Sequence, residues 1–296
     1  MIDYLLVEAA VNVAAPCVFG QIEPFIWKGI NFIPKYSKEL FVIGYAGVYN
    51  GLRVTLLPCK KIRIENSLHK FYKHNNYSDF SSSEICKAVN IVCSKFSIAA
   101  EFWEIKKLEL GFNIQTPQAA SSYIPLFHSY KGVFFNKVMY GNKLHEMKCF
   151  LTEYAIKVYD KTEQLKRQEK LNIEKDILRI EICYNKKRKL PKEIETLADL
   201  KNSNKIKLLY EDFESMIKKI VFYEGYNLTG ASFEDRCLLL ASLNSDFWKV
   251  NKDLNKRKTK AYKEKLKVLR EKYFKKELKQ FLLKLLKDKY ISLFCS

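Results

Sequence analysis

The sequence predicts an α+β fold: an antiparallel or mixed sheet with helices on one face, followed by a helical C-terminal region. Three observations carry that expectation. Stretches with the two-residue alternation of half-buried strands recur up to about residue 184. Single helical stretches separate them, and no Gly-rich turn joins strand to helix as in a doubly wound fold. From about residue 192 the apolar spacing becomes helical. A ferredoxin-like or split βαβ arrangement is the natural candidate.

Taken in order, residues 1–60 read as short strands and turns, with apolar clusters at 25–27 and 41–45. Lys61-Ile-Arg-Ile-Glu65 alternates as a strand, and a polar, aromatic and basic segment follows over residues 69–77. Ser81 and Glu84 have the S-x-x-E spacing of a capping box, and Ile85, Val89, Val92 and Phe96 continue a helix at the right period. Residues 107–114 predict a strand, 117–127 a short helix, and 133–139 and 153–160 two more strands. A charged helix over 162–171 leads to a strand at 178–184. Residues 205–223 predict one amphipathic helix, with Leu208, Leu209, Phe213, Met216, Ile217 and Ile220 on its stripe. Gly225 and Gly230 interrupt the pattern, so the expected units are a strand-rich segment 1–60, a central domain 61–230 and a basic helical region 231–296.

The chain has 296 residues, with 52 Lys+Arg against 33 Asp+Glu and a net charge of +19. Such a surplus favours a polyanionic partner, nucleic acid or an anionic membrane surface, over a small metabolite. With 48% apolar and 14% aromatic residues, disorder is excluded as the main state. The eight cysteines (Cys17, Cys59, Cys86, Cys93, Cys149, Cys183, Cys237, Cys295) contain no C-x-x-C pair, which excludes zinc-ribbon and thioredoxin-type sites. Their irregular spacing fits reduced thiols in a cytoplasm. Asp3 and Glu8 stand where a signal peptide carries Lys or Arg, and no apolar run reaches the length of a membrane span. A cytoplasmic protein without a membrane partner is expected.

No P-loop, GxGxxG, HExxH or His-hydrophobic-His pair is present, and the four histidines are scattered. What remains is three strands that carry carboxylates. Period two puts Glu109, Gly111 and Asn113 on one strand face, and Arg179, Glu181 and Cys183 on one face of another. Lys157 and Tyr159 share a face of the third, with Asp160 at its end, where the side chain can turn into a cleft. Glu109 and Glu181 are expected to meet on adjacent central strands. With Asp160 or Asn113 they would form a hard oxygen site suited to Mg²⁺ or Mn²⁺.

Around these residues, KKLELGFNI (at Glu109), IKVYDKTEQ (156–164) and LRIEICY (178–184) come in the order seen in rolling-circle replication initiators. Residues 60–225 resemble the filamentous-phage gene II type and the related Rep_trans-like plasmid and phage Rep proteins. The segment HKFYKHNNYSDF (69–80) is similar to the stretch before their first acidic strand. The resemblance implies a variant of the HUH endonuclease fold in which carboxylates replace the histidines. It also implies a metal-dependent nickase that cuts one strand at an origin, starting rolling-circle replication of a phage or plasmid in a bacterial host. A tyrosine would become 5′-phosphotyrosyl-linked, leaving a 3′-OH primer.

On this reading the nucleophile lies at or beyond the helix after the third acidic strand. Tyr210, Tyr223 and Tyr226 qualify, and Tyr223 is favoured because it falls at a helix end beside Gly225. Lys157 or Lys161 would neutralise the phosphate or assist loss of the phenolic proton. Origin DNA, single-stranded or supercoiled, would contact His69, Lys70, Tyr72 and Lys73, together with Lys256, Arg257, Lys258 and Lys260. The implied protein partners are a host helicase and a second copy of the chain. In the C-terminal region Leu266, Leu269, Tyr273 and Phe274, then Leu278, Phe281, Leu282, Leu285 and Leu286, form an apolar face expected to dock on the nuclease domain or another subunit. The competing readings are a non-catalytic DNA-binding protein on the same scaffold, a mobilisation relaxase and a membrane-surface protein.

Overall fold

The computed structural model describes residues 2–11, 22–58, 60–251 and 256–295, the side chains of residues 256, 257 and 259 excepted. Cys17 and Cys59 lie outside the described residues; the other six cysteines are unpaired thiols.

The chain opens with β1 (Ile2–Ala10), β2 (Phe25–Trp27), β3 (Ile30–Tyr36), β4 (Val42–Tyr49), β5 (Leu52–Leu57) and β6 (Lys61–Ser67). Two helices follow, α1 (Leu68–Lys73) and α2 (Ser82–Phe96). The expected capping box starts α2: the Ser81 hydroxyl accepts from Glu84 N–H, and the Glu84 carboxylate accepts from Ser81 N–H at 2.9 Å. Its stripe Ile85, Val89, Val92 and Phe96 is buried, with Phe96 against Trp27, Tyr49 and Trp103.

Next come β7 (Glu104–Gln115), β8 (Phe127–Tyr130), β9 (Val133–Phe134), β10 (Asn136–Tyr140), β11 (Lys143–Phe150), β12 (Tyr154–Asp160), α3 (Lys161–Gln168) and β13 (Ile177–Tyr184). The chain continues with α4 (Ser203–Lys219), β14 (Ile220–Phe222), α5 (Phe233–Ala241), α6 (Ser245–Val250), α7 (Lys256–Tyr273) and α8 (Glu277–Phe294).

Eleven strands form one sheet in the order β10-β11-β12-β13-β7-β1-β6-β5-β4-β3-β2, and β14-β8-β9 form a small second one. This is the expected α+β class. Every pairing between these strands is antiparallel; β6 and β7, each antiparallel to β1 between them, run parallel to each other and are joined through α1 and α2, which is the expected split βαβ arrangement. The N-terminal strand β1 sits near the middle of the sheet, with Val7 opposite Ile64 of β6 and Leu5 opposite Leu108 of β7. Residues 1–60 and the central region therefore share one sheet.

On the apolar face, Phe112 of β7 is fully buried against Phe213 of α4 at 5.0 Å and Phe294 of α8 at 6.5 Å between ring centroids. Burying one such ring contributes roughly 1.5–3 kcal/mol. Helices are not confined to that face, because α3 borders the polar side of β12 and β13.

Four other expectations change. Residues 117–127 form two short 3₁₀ turns rather than a helix; Pro125 lacks the N–H a continuous α-helix needs there. The strand expected at 133–139 divides at the buried Phe135, with β9 pairing in the small sheet and β10 in the large one. The helix expected to reach residue 223 ends at Lys219, because Ile220, Val221 and Phe222 pair with β8 instead. The basic C-terminal helix breaks at residues 274–276. Leu266, Leu269 and Tyr273 of α7 pack with Leu239 in a cluster of their own, while Leu282 and Leu286 of α8 join the main core. Leu278 and Phe281 stay exposed. Among the described residues no helix is long and apolar enough to cross a membrane.

Candidate active site

Register brings the three acidic strands together. On β7 and β13, Gly111 lies opposite Glu181, Asn113 opposite Arg179 and Glu109 opposite Cys183; across β12 and β13, Lys157 lies opposite Glu181. Donor atoms of Glu109, Glu181 and Cys183 fall within 4.8 Å of one another. The Lys157 ammonium stands among them, 3.3 Å from Glu109 Oε2 and 3.5 Å from Glu181 Oε2. Burial would lower the Lys157 pKa, but Glu181 first, then Cys183 and Glu109, hold it above its ordinary value. Burial and then Glu109 push the Cys183 thiol up.

Beneath this trio runs a buried layer that the sequence pattern did not reveal. Arg179 is fully buried, and its guanidinium donates to Glu181 Oε1 at 2.6 Å, Asp3 Oδ2 at 2.7 Å, the Asn76 carbonyl at 2.8 Å and Asn113 Oδ1 at 2.9 Å. Tyr159 donates its hydroxyl to Glu181 Oε1 at 2.7 Å. Burial tends to raise the Asp3 pKa, but Arg179 and the Ser67 hydroxyl outweigh it and hold the carboxyl below its ordinary value. Residue 111 must be glycine for the layer to close, since a Cβ there would lie 2.9 Å from Glu181 Cγ and 3.2 Å from Arg179 Nη2.

Two expected ligands are engaged elsewhere. Asn113 gives its oxygen to Arg179 and its amide hydrogens to the carbonyls of Asn76 and Tyr77. Asp160 is the N-cap of α3, accepting from Glu163 N–H at 2.9 Å. Lys161 is buried away from the trio, donating to Asn76 Oδ1 and Gln164 Oε1, both at 2.8 Å. Burial and then Arg179 push its pKa down to about 8, outweighing the Asp3 and Glu181 carboxylates that act to raise it.

Because the unfolded chain holds the Lys161 proton up to its ordinary pKa, folding stability must rise with pH between about 8 and 10.5. Relative to Lys161→Met, the wild type should gain about 1–2 kcal/mol of unfolding free energy from pH 7.5 to 9.5. Urea titrations at both pH values measure it, and parallel profiles would remove the charge from Lys161.

A cleft of about 250 Å³ opens at Lys157 and Glu181, lined also by Tyr159 and Asp160 of β12, by Glu146 and Lys148 of β11, by Tyr140 and by Arg167 of α3; Glu109 and Cys183 are not among its described lining residues. Tyr140 is 47% exposed; the Arg167 guanidinium lies 3.4 Å over its ring and His145 meets it edge-on. Among the described residues lining this cleft, none is a tyrosine expected from the sequence as the nucleophile. Tyr210 is buried with its ring stacked on Tyr290 at 3.9 Å. Tyr223 follows a strand rather than a helix, packs against Tyr226 and Phe274, and has its pKa pushed up to about 12 by burial and by Tyr226. Tyr226 bridges to Phe274. Tyr140 carries no motif of its own, so only the fold could bring it forward.

The expected DNA contacts divide similarly. His69 is fully buried, stacked on Phe80 at 4.8 Å, and burial lowers its pKa to about 3. It is a neutral core residue and cannot touch phosphate. Lys70 and Lys73 pair with Glu169 and Glu84, and Tyr72 leans on Phe80. Lys258 and Lys260 are exposed on α7, and the side chains of Lys256 and Arg257 lie outside the described residues.

Comparison with models of known protein families gives no match for this chain, and no curated protein matches it.

Proposed function

We propose that the cleft between β11, β12, β13 and α3 cleaves one DNA strand by phosphoryl transfer, as the rolling-circle initiator resemblance implies. The observation that supports it best is the convergence of Glu109, Glu181 and Lys157, with Lys157 and Glu181 lining the same cleft as an exposed tyrosine, Tyr140, in a chain of net charge +19. The two carboxylates fit a divalent Mg²⁺ or Mn²⁺ ion if Lys157 turns from between them into the cleft. When bound, such an ion polarises the scissile phosphate and stabilises its developing charge. Lys157, Lys148 and Arg167 then supply cations for the phosphate oxygens. The Tyr140 oxygen attacks phosphorus, the bond to the 3′-oxygen breaks, and the phenol loses one proton while the leaving 3′-oxygen gains one.

The experiment is incubation of the full chain with supercoiled plasmid carrying the DNA that flanks its gene, with Mg²⁺ or Mn²⁺ and with chelator. Open circles formed only with metal are expected. Intact plasmid under all conditions would leave a second reading, a non-catalytic DNA-binding protein. That reading draws on the Lys157 ammonium already neutralising the acidic pair. Nicking that survives the chelator would remove the metal.

A further inference from the structure

A second cavity, of about 430 Å³, lies between the small sheet and the C-terminal helices, and its chemistry is unlike that of the acidic cleft. Three cations line it: Lys131 after β8, and Lys263 and Arg270 on α7. Among the described residues no carboxylate lines it, and none forms an ion pair with any of the three. Arg270 donates Nη2–H to Ser242 Oγ at 3.1 Å, while its buried Nε has no hydrogen-bond partner among the described residues. A guanidinium partly withdrawn from water with no counter-charge among the described residues is costly, and an anion entering the cavity would relieve that cost.

The rest of the wall is built for something larger than a bare anion. Trp248, Phe134, Val221 and Leu266 provide aromatic and aliphatic surface. Ser242 is buried and fixes both halves of the site, taking the Trp248 indole N–H on its carbonyl at 3.1 Å and Arg270 on its hydroxyl. The cavity volume falls in the range of small-molecule sites.

We propose that this cavity binds a phosphorylated ligand of nucleotide size, its phosphate on Arg270, Lys263 and Lys131 and its ring against Trp248 and Phe134. The ligand is either a free mononucleotide or the phosphorylated end of a single strand, which present the same chemistry. The site shares no residue with the acidic cleft and does not depend on strand cleavage there.

The test is calorimetric titration of the full chain at fixed ionic strength with dAMP, inorganic phosphate, deoxyadenosine and a 5′-phosphorylated oligonucleotide. Saturable binding of dAMP is expected, tighter than that of phosphate, with none for deoxyadenosine. Arg270→Gln and the exposed-site variant Lys263→Gln should each weaken dAMP by about tenfold or more, the effect of losing one charge-assisted contact. Trp248→Phe should weaken dAMP more than phosphate. Displacement of dAMP by the oligonucleotide would assign the site to strand ends, and failure to displace it to free nucleotides. Absence of saturable dAMP binding by the wild type, or binding unchanged in Lys263→Gln, would overturn the proposal, even in a preparation that nicks DNA normally.

Discussion

Glu109→Gln is expected to lower metal-dependent nicking by about 10²–10³-fold, the scale on which a single electrostatic stabiliser acts in a water-poor site. The substitution keeps the shape of the side chain and removes one of the two hard anions that would hold the ion. Little stability should go with it, because Glu109 is part-exposed and its pairing with Lys157 is shared with Glu181. DNA affinity should stay near that of the wild type, since phosphate contacts by Lys and Arg dominate binding. The readout is the single-turnover nicking rate at saturating DNA beside a binding titration. A rate within a factor of about three of wild type would separate Glu109 from the chemistry.

Arg179→Met should be the most destabilising single change in the site, at about 3–5 kcal/mol, because it leaves Asp3 and Glu181 buried without their guanidinium. The deficit should shrink as pH falls and Asp3 takes up a proton. In the wild type the same protonation removes stability, since the folded-state pKa of Asp3 lies below its ordinary value. Urea unfolding at pH 7 and at pH 4 measures both effects. A loss below about 1 kcal/mol at pH 7 would mean that water replaces Arg179.

Much of this arrangement could be read from the residues alone. Two-residue alternation placed Glu109, Gly111 and Asn113 on one face and Arg179, Glu181 and Cys183 on another, and the strand register then brought Glu109 and Glu181 together. The capping spacing at Ser81 and Glu84 was equally local and equally legible. What stayed hidden depends on contacts between residues far apart in the chain. Arg179 meets Asp3 across 176 positions, because β1 inserts between β6 and β7. Asn113 looks like a ligand in the sequence, yet the buried guanidinium takes its oxygen. The strand β11 was missed because Lys143, Glu146 and Lys148 mask the buried alternation of His145, Met147 and Cys149. Tyr140, on the hairpin that β11 completes, was missed with it.

The most direct test of the strand-cleaving account is to find which side chain becomes joined to DNA. The full chain is incubated with labelled single-stranded DNA from its own gene's flank and Mn²⁺, digested, and its nucleotide-bearing peptides are sequenced by mass spectrometry. The account predicts one phosphotyrosyl adduct, on Tyr140, absent from Tyr140→Phe and unaffected in Tyr223→Phe. An adduct on Tyr210, Tyr223 or Tyr226 instead, or none in DNA that has been nicked, would contradict it.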